Sequence, residues 1–215
     1  MAYKTLILEF VAEVCQGRDP SHGLTHMKDV ADLAMIYALS MNLSQEEQDL
    51  VWLVAMLHDV ADHKYDSNGD LKLKIKICLN HVKSEFDLPE FEIDWLMEII
   101  ARISFSREKK EGNSDWHQVL GEKGILIRNI VSDADKYYAL GQIGYERCVI
   151  FTREHYFLQK QITSGLLRKL VWKHADEKLL RLIPDGYFKT PMGIQNAKLA
   201  EKKLKKLLIE MPYVN

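Results

Sequence analysis

The pair His58-Asp59 ends a long apolar segment and is the first sign of chemistry in the sequence. Residues 50–57 read LVWLVAML, and Asp62 and His63 follow shortly after the pair. Imidazole and carboxylate groups cost free energy when they are buried, unless hydrogen bonds, an opposite charge or a metal ion compensate. The pattern therefore indicates a binding or catalytic role for His58 and Asp59.

Further groups of the same chemical types lie before and after this pair. His22 and His26 are four residues apart and share one helical face if a helix begins at His22; if it begins at Thr25, His22 lies in the preceding turn. The later segment SDADKYYALG contributes Asp133 and Asp135. Two imidazoles with two carboxylates form a mixed nitrogen and oxygen shell, which suits Mn²⁺, Fe²⁺, Co²⁺ or Zn²⁺.

The order of these groups resembles the H…HD…D signature of the HD superfamily of metal-dependent phosphohydrolases. The resemblance covers most of the chain. Its segments are SHGLTHMKDVADLA, AMLHDVADHKY, IIARISFS, SDADKYYALGQIGYERC and FKTPMGIQNAKLAEKKL, which look like those of small stand-alone HD hydrolases of bacteria and some eukaryotes. The resemblance implies an all-α, single-domain HD fold with a metal site inside the helix bundle.

The resemblance also implies a ligand set for one divalent ion. Its members would be His26, His58, Asp59 and an aspartate of the DAD segment. Asp133 and Asp135 are two residues apart, so on a helix they face apart and one of them should reach the ion. Asp135 is favoured because the family ligand commonly precedes a basic residue. Mn²⁺ is the favoured ion, with Fe²⁺, Co²⁺, Ni²⁺, Zn²⁺ or Mg²⁺ as alternatives.

In such a site the ion would polarise a phosphoryl oxygen and turn a bound water into a hydroxide nucleophile. Asp62 is the candidate general acid or base, because it shares the face of Asp59 if the helix continues. Lys64 is the candidate catalytic cation, because it follows the pair closely. The candidates for contacting the substrate are His22, Arg102, Asp133, Lys136 and Arg147.

Two positions depart from the family pattern. Relatives often continue the first motif as H-x-x-R-V, whereas this chain has Asp29 where the arginine is expected. Relatives also often carry a carboxylate where this chain has Tyr138. Both changes indicate an altered substrate preference or a weakened activity.

The resemblance predicts a small phosphorylated substrate, with a nucleotide favoured, whose phosphate ester or phosphoanhydride is hydrolysed. Two other classes of function compete with this interpretation. A catalytically weak sensor would bind a metal and a nucleotide without turnover. A di-iron oxygenase would need additional histidine ligands, and the surroundings of His63, His81 and His117 do not match such a second site.

Helical periodicity dominates the elements that must position these groups. We expect one domain over residues 1–215, with the metal-binding core at about 20–150 and C-terminal helices 151–215 packed on it. Helices are predicted over residues 3–16 and 45–60, the second starting with a Ser44/Glu47 capping box, and after Pro191. Residues 104–118 interrupt the periodicity and predict a mobile loop. Its cations could meet phosphates or merely be solvated, and they are Arg107, Lys109 and Lys110.

The composition limits the remaining alternatives. Of the 215 residues, 47% are apolar and 28% are charged, which is typical of a soluble globular protein. The net charge of -2 argues against a nucleic-acid partner, and no apolar run is long enough to predict a membrane span. The three cysteines are far apart, which favours a reducing compartment, and the N-terminal segment predicts a helix and not a signal peptide. These features predict a cytoplasmic protein and leave a homodimer open.

Overall fold

The protein is all-α, as the sequence predicts. The computed structural model describes residues 2–19, 22–85, 93–157 and 163–211. These parts of the chain contain ten α-helices, two short 3-10 helices (Lys83–Glu85 and Leu179–Arg181) and no β-strand. In chain order the helices are α1 (Ala2–Val14), α2 (Leu24–Ser40), α3 (Gln45–Leu57), α4 (Asp70–Val82), α5 (Ile93–Ala101), α6 (Phe105–Glu111), α7 (Trp116–Tyr138), α8 (Gly141–Phe157), α9 (Ser164–Glu177) and α10 (Pro191–Glu210).

The chain divides into two compact units, Met1–Ala134 and Asp135–Asn215. The division falls within the residue range of α7. In the second unit α8 packs against α9 and α10. That the whole chain forms one HD domain stays a prediction. Within the described residues, no helix combines the length and the hydropathy that crossing a membrane requires.

Helix α3 is the centre of the first unit. It packs against α1, α2 and α5, which explains why its second half is apolar on every side. The facing side of α2 buries Ala31, Ala34 and Ala38 at helical spacing, so the two helix backbones can approach closely. Because α3 is held on several sides, the residue at its C-terminal end has a well-determined position.

The predicted capping box at the start of α3 is confirmed. The Ser44 side chain accepts a hydrogen bond from the Glu47 amide at 3.2 Å, and the Glu47 carboxylate accepts one from the Ser44 amide at 2.9 Å. The helix ends at Leu57, three residues before the predicted end at residue 60. Beyond it the chain continues as turns, in which the amide of Val60 bonds to the carbonyl of Leu57 and that of Asp62 to the carbonyl of Asp59.

The prediction of a mobile loop over residues 104–118 is wrong. The segment contains α6, and α7 already begins at Trp116. Gly112, with φ 72°, ends α6 in a conformation that favours glycine. Inside α7 the helical dihedrals are broken at Gly121 (φ 65°, ψ 175°).

Candidate metal centre

Three predicted ligands lie together in the structure. His26, His58 and Asp135 each offer a ligand atom, and these atoms all lie within 4.8 Å of one another. Both imidazoles are buried, and Asp135 is half-buried. Among the described residues this is the one group of at least three such side chains that could hold an ion.

His26 reaches the cluster because α2 begins immediately before it. The helix starts at Leu24, so His26 lies in its first turn, on the buried face. His22 lies ahead of the helix, as one of the two predicted alternatives requires. Its Nδ1 is 2.9 Å from Oδ2 of Asp19, and its Nε2 is 3.4 Å from Nζ of Lys64. His22 is therefore held by other partners than the cluster.

The tautomer of His58 is determined by the end of α3. Its Nδ1 lies 2.7 Å from the carbonyl oxygen of Ala55, which can only accept a hydrogen bond. Nδ1 must therefore carry the proton, and in the neutral ring Nε2 presents its lone pair. Histidines that ligate metals usually donate their other N–H in this way, to a carbonyl or a carboxylate. The His58 ring centre is 5.4 Å from that of His26.

Asp59 lies at the edge of the same cluster. Its Oδ2 is 3.9 Å from Nε2 of His26 and 3.9 Å from Nε2 of His58. These distances exceed a hydrogen bond. Two ligands at about 2.1 Å from one ion are at most about 4.2 Å apart, so both distances are compatible with a shared ion. The donor set of His26, His58, Asp59 and Asp135 thus fits a divalent metal; Asp59 as the fourth ligand stays a prediction.

The two aspartates of the DAD segment differ in their surroundings. Asp135 joins the cluster, whereas Asp133 is completely buried. The neighbouring Lys136 is buried as well, and both have polar partners. Such burial favours a role in positioning other groups, so direct substrate contacts by Asp133 and Lys136 stay predictions.

A cleft of about 350 Å³ opens beside His58 and Asp59. Its volume is near the lower end of the range for small-molecule sites, which is about 300–1,000 Å³. Its wall includes residues that follow α3, together with parts of α4, α5 and α6. The charged side chains that line it, apart from those of the histidines, are Asp59, Asp62, Lys72, Arg107, Lys110 and Glu111.

Asp62 lines this cleft, although α3 does not continue to it. Its Oδ1 accepts a hydrogen bond from the amide of Lys64 at 2.9 Å, and its Oδ2 lies 3.4 Å from Nδ1 of His63. The carboxylate is therefore held in position in the wall of the cleft. The turn after α3, and not the helical face assumed from the sequence, brings Asp62 to the cleft with Asp59.

Three predicted cations lie elsewhere. Among the described residues Lys64 does not line the cleft, and its ammonium group points to His22. Arg102 is buried and donates to the carboxylate of Glu98 and, at 3.1 Å, to its carbonyl oxygen. Arg147 is half-buried on α8, in the second unit. The roles assigned to these side chains stay predictions.

Sequence reasoning missed Arg18, which holds the turn after α3. Its two terminal nitrogens donate to the carbonyl oxygens of Asp59 (3.1 Å) and Val60 (2.8 Å). The guanidinium also lies 4.2 Å from the ring centre of Tyr65. The hydrogen bond that Tyr65 donates to Asp19 is the main cause that raises the pKa of its phenol. The one sequence signal was the position of Arg18 directly before the turn that leads to His26.

An all-α fold that gathers two imidazoles and a carboxylate suggests a divalent metal site among its helices. The model of the HD domain family matches residues 23–140, which is more than half of the chain. The chain therefore belongs to the HD domain family. The HD domain places the chain in a superfamily of metal-dependent, hydrolase-type proteins.

Solved structures show the same fold. A crystal structure of a Lactobacillus plantarum protein matches with a TM-score of 0.69 and 19% identity, over 97% of this chain and 94% of that chain. Bacillus subtilis YpgQ in complex with ADP matches with a TM-score of 0.64 and 21% identity, over 98% of this chain and 95% of that chain. The selenomethionine form of Bacillus subtilis YpgQ matches with a TM-score of 0.66 and 22% identity, over 100% of this chain and 98% of that chain. No curated protein matches the sequence.

Proposed function

We propose that the protein is a metal-dependent phosphohydrolase that acts on a small phosphorylated molecule, with a nucleotide as the favoured substrate. The observation that carries the proposal is the cluster of His26, His58 and Asp135, with Asp59 beside it. His58 and Asp59 also line a cleft whose wall includes three cations. A bound divalent ion, for which Mn²⁺ is favoured, would polarise a phosphoryl oxygen and lower the pKa of a water molecule. We further propose Asp59 as the fourth ligand.

The protein's own residues have two tasks in this reaction. Asp62 lies at the cleft beside Asp59, where it can take a proton from the attacking water. The water oxygen bonds to phosphorus, the bond to the leaving oxygen breaks, and the leaving oxygen takes up a proton from solvent while the proton on Asp62 returns to solvent. Lys72, Arg107 and Lys110 can neutralise the charge on the remaining phosphate oxygens.

A nucleotide is favoured because the cleft is larger than one phosphate group needs and because its cations come from two different helices. The ADP complex of YpgQ, a protein of the same fold, is consistent with this choice. The proposed reaction cuts either the phosphoanhydride or the ester bond of such a substrate.

The proposal is tested by a hydrolysis screen over nucleotides and other phosphate esters with Mn²⁺, Mg²⁺, Co²⁺ or Ni²⁺. Asp59→Ala is the variant that should lose activity. Asp176→Ala, at an exposed position on α9, is the matched control that should retain it. If the wild-type protein hydrolyses no compound faster than Asp59→Ala does, the hydrolase proposal is wrong.

The same preparation separates the two competing functions. A sensor would bind ADP and the metal without turnover. A di-iron oxygenase would contain close to two irons per chain by elemental analysis, whereas the proposed hydrolase requires one divalent ion at the cluster of His26, His58 and Asp135.

A further inference from the structure

Helix α6 forms one wall of the cleft, and its own sequence does not explain why it is ordered. It has seven residues, FSREKKE, of which Phe105 is the only large apolar one. An isolated helix of this length is unstable in water, because nucleation is unfavourable and few hydrogen bonds form. Apolar burial cannot compensate, since the single buried residue of α6 is Glu108.

Glu108 is held by an ion pair in the interior. Its carboxylate accepts a hydrogen bond from Arg128 of α7 at 2.6 Å, and the two side chains are only 4% and 1% exposed. Arg128 also donates to the carbonyl oxygen of Arg102 at 2.8 Å, and its guanidinium lies 4.6 Å from the ring centre of Trp116. A buried pair with this many partners determines a geometry well, although it adds little net stability.

The segment before α6 is held by the same helix. Ser132, one helical turn after Arg128, donates to the carbonyl oxygen of Ile103 at 3.1 Å. Two side chains of α7 thus bind consecutive carbonyl groups, those of Arg102 and Ile103, just before α6 begins at Phe105. The N-terminal end of α6 and its middle residue are therefore both tied to α7.

This attachment determines which cations of α6 face the cleft. Arg107 and Lys110 line it together with Glu111, whereas Lys109 does not, although Lys109 and Lys110 are both exposed. Arg107 is oriented further by hydrogen bonds to Glu111 at 2.7 Å and to the carbonyl oxygen of Ala101 at 3.1 Å. On a helix, residues 107 and 110 lie on one side, and the buried Glu108 points elsewhere.

We infer that the buried Glu108–Arg128 pair is a positioning device that fixes α6 as the cationic wall of the cleft, and that it thereby sets the affinity for the phosphate groups of the substrate. The inference rests on the proposed function, and it assigns to α6 the recognition of a substrate with more than one phosphate. Glu108 and Arg128 act through Arg107 and Lys110 and do not touch the substrate themselves.

The test measures binding of ADP by calorimetry in the presence of Mn²⁺, and binding of Mn²⁺ alone. Lys110→Gln should raise the Kd for ADP about 10-fold, the lower end expected for loss of one charged hydrogen bond, and Lys109→Gln should leave it unchanged. Glu108→Gln keeps an acceptor for Arg128 but removes the charge, and we expect it also to raise the Kd for ADP about 10-fold. The Kd of Glu108→Gln for Mn²⁺ alone should stay within about 2-fold of the wild-type value.

A double-mutant cycle shows whether Glu108 acts through the wall. In the Lys110→Gln background, Glu108→Gln should have a smaller effect on ADP binding than in the wild-type background, because part of what it positions is already lost. Independent, fully additive effects would contradict the inference, as would a Glu108→Gln protein that binds ADP like the wild type. If the wild-type protein itself does not bind ADP with Mn²⁺, the proposed nucleotide function fails instead.

A measurement on the unmodified protein covers the case in which Glu108→Gln does not fold. Hydrogen exchange should show protected amides at Glu108 and Gly112, which bond to the carbonyl groups of Ser104 and Glu108. Exchange of these amides at the rate of an unstructured loop would overturn the inference.

Discussion

Replacing Arg18 by methionine should weaken metal binding, although Arg18 is not expected to touch the ion. The substitution keeps much of the apolar stem and removes the two N–H donors that bind the carbonyl oxygens of Asp59 and Val60. These carbonyl groups follow directly on His58, so their release frees the turn that presents both side chains of the pair. Arg18 is thus expected to position His58 and Asp59 at once.

The size of the effect follows from the contacts of Arg18. A hydrogen bond from a charged donor contributes about 1.5–3 kcal/mol when buried. The two bonds here are part-buried, and water can replace the donors, so we expect a total loss of roughly 2 kcal/mol in the free energy of unfolding. For a chain of this size that corresponds to a melting temperature about 4–8 °C lower. Loss of a group that orients metal ligands typically reduces metal affinity about 10–100-fold.

Calorimetric titration with Mn²⁺, well below the melting temperature, measures this prediction. Arg18→Lys keeps the charge but cannot donate to both carbonyl groups in the same geometry. Its affinity for Mn²⁺ should therefore fall between that of the wild type and that of Arg18→Met. Arg153→Met, at an exposed position on α8, is the matched control and should bind Mn²⁺ like the wild type. If Arg18→Met melts earlier but binds Mn²⁺ with unchanged affinity, Arg18 only stabilises the fold and the reasoning is refuted.

Two further predictions concern the cluster and the cysteines. His58→Gln removes a proposed ligand. Mn²⁺ at about 100 times the wild-type Kd should stabilise the wild-type protein by about 2.7 kcal/mol and should not shift the melting temperature of the variant. An equal shift in both proteins would exclude His58 as a ligand. Burial raises the pKa of Cys78 and Cys148 to about 11, so alkylation of the native protein should be slow at pH 8 and accelerate as the pH approaches 11. The pKa of these thiols is higher in the folded state than the value of 9.0 for a free thiol. Their contribution to stability is therefore complete below pH 9 and is lost between about pH 9 and 11. Fast alkylation of the folded protein at pH 8 would contradict the raised pKa.

The cluster itself could be predicted from the sequence because its members stand in a recognisable order on strongly patterned helices. His58 ends an apolar helix, and His26 lies in the first turn of a helix with an alanine-rich face. A side chain at the end of a buried helix has little freedom to move. Predicting the helix therefore predicts the approximate position of that side chain. The choice of Asp135 over Asp133 was favoured only by the family pattern, and the structure places Asp135 in the cluster.

The cleft could not be predicted in the same way. Asp62 was chosen on the assumption that α3 continues, yet α3 ends at Leu57 and a turn brings Asp62 to the cleft. Lys64 was chosen for its closeness in sequence, and its side chain instead meets His22. Side-chain directions after a helix end depend on turn geometry, and here that geometry depends on Arg18, which is 41 residues from Asp59.

Helix α6 shows a different limit. Its composition is that of a solvated loop, and the local sequence contains too few apolar residues to indicate a packed element. The deciding contact is with Arg128, 20 residues away from Glu108. A lone arginine in the apolar stretch GILIRNIV was a usable signal, since a buried charge needs a partner and the charged segment 104–118 offered several.

Helix α7 connects these features. Arg128, Ser132 and Asp135 are separated by four and three residues, so they lie along one side of a single helix. The first two hold the segment that leads into α6, and the third belongs to the metal cluster. The same helix thus contributes side chains to both features. Because Arg128 and Ser132 tie both the middle of α6 and the segment before it to α7, α6 should bind phosphate as a preorganised wall and not as a closing loop.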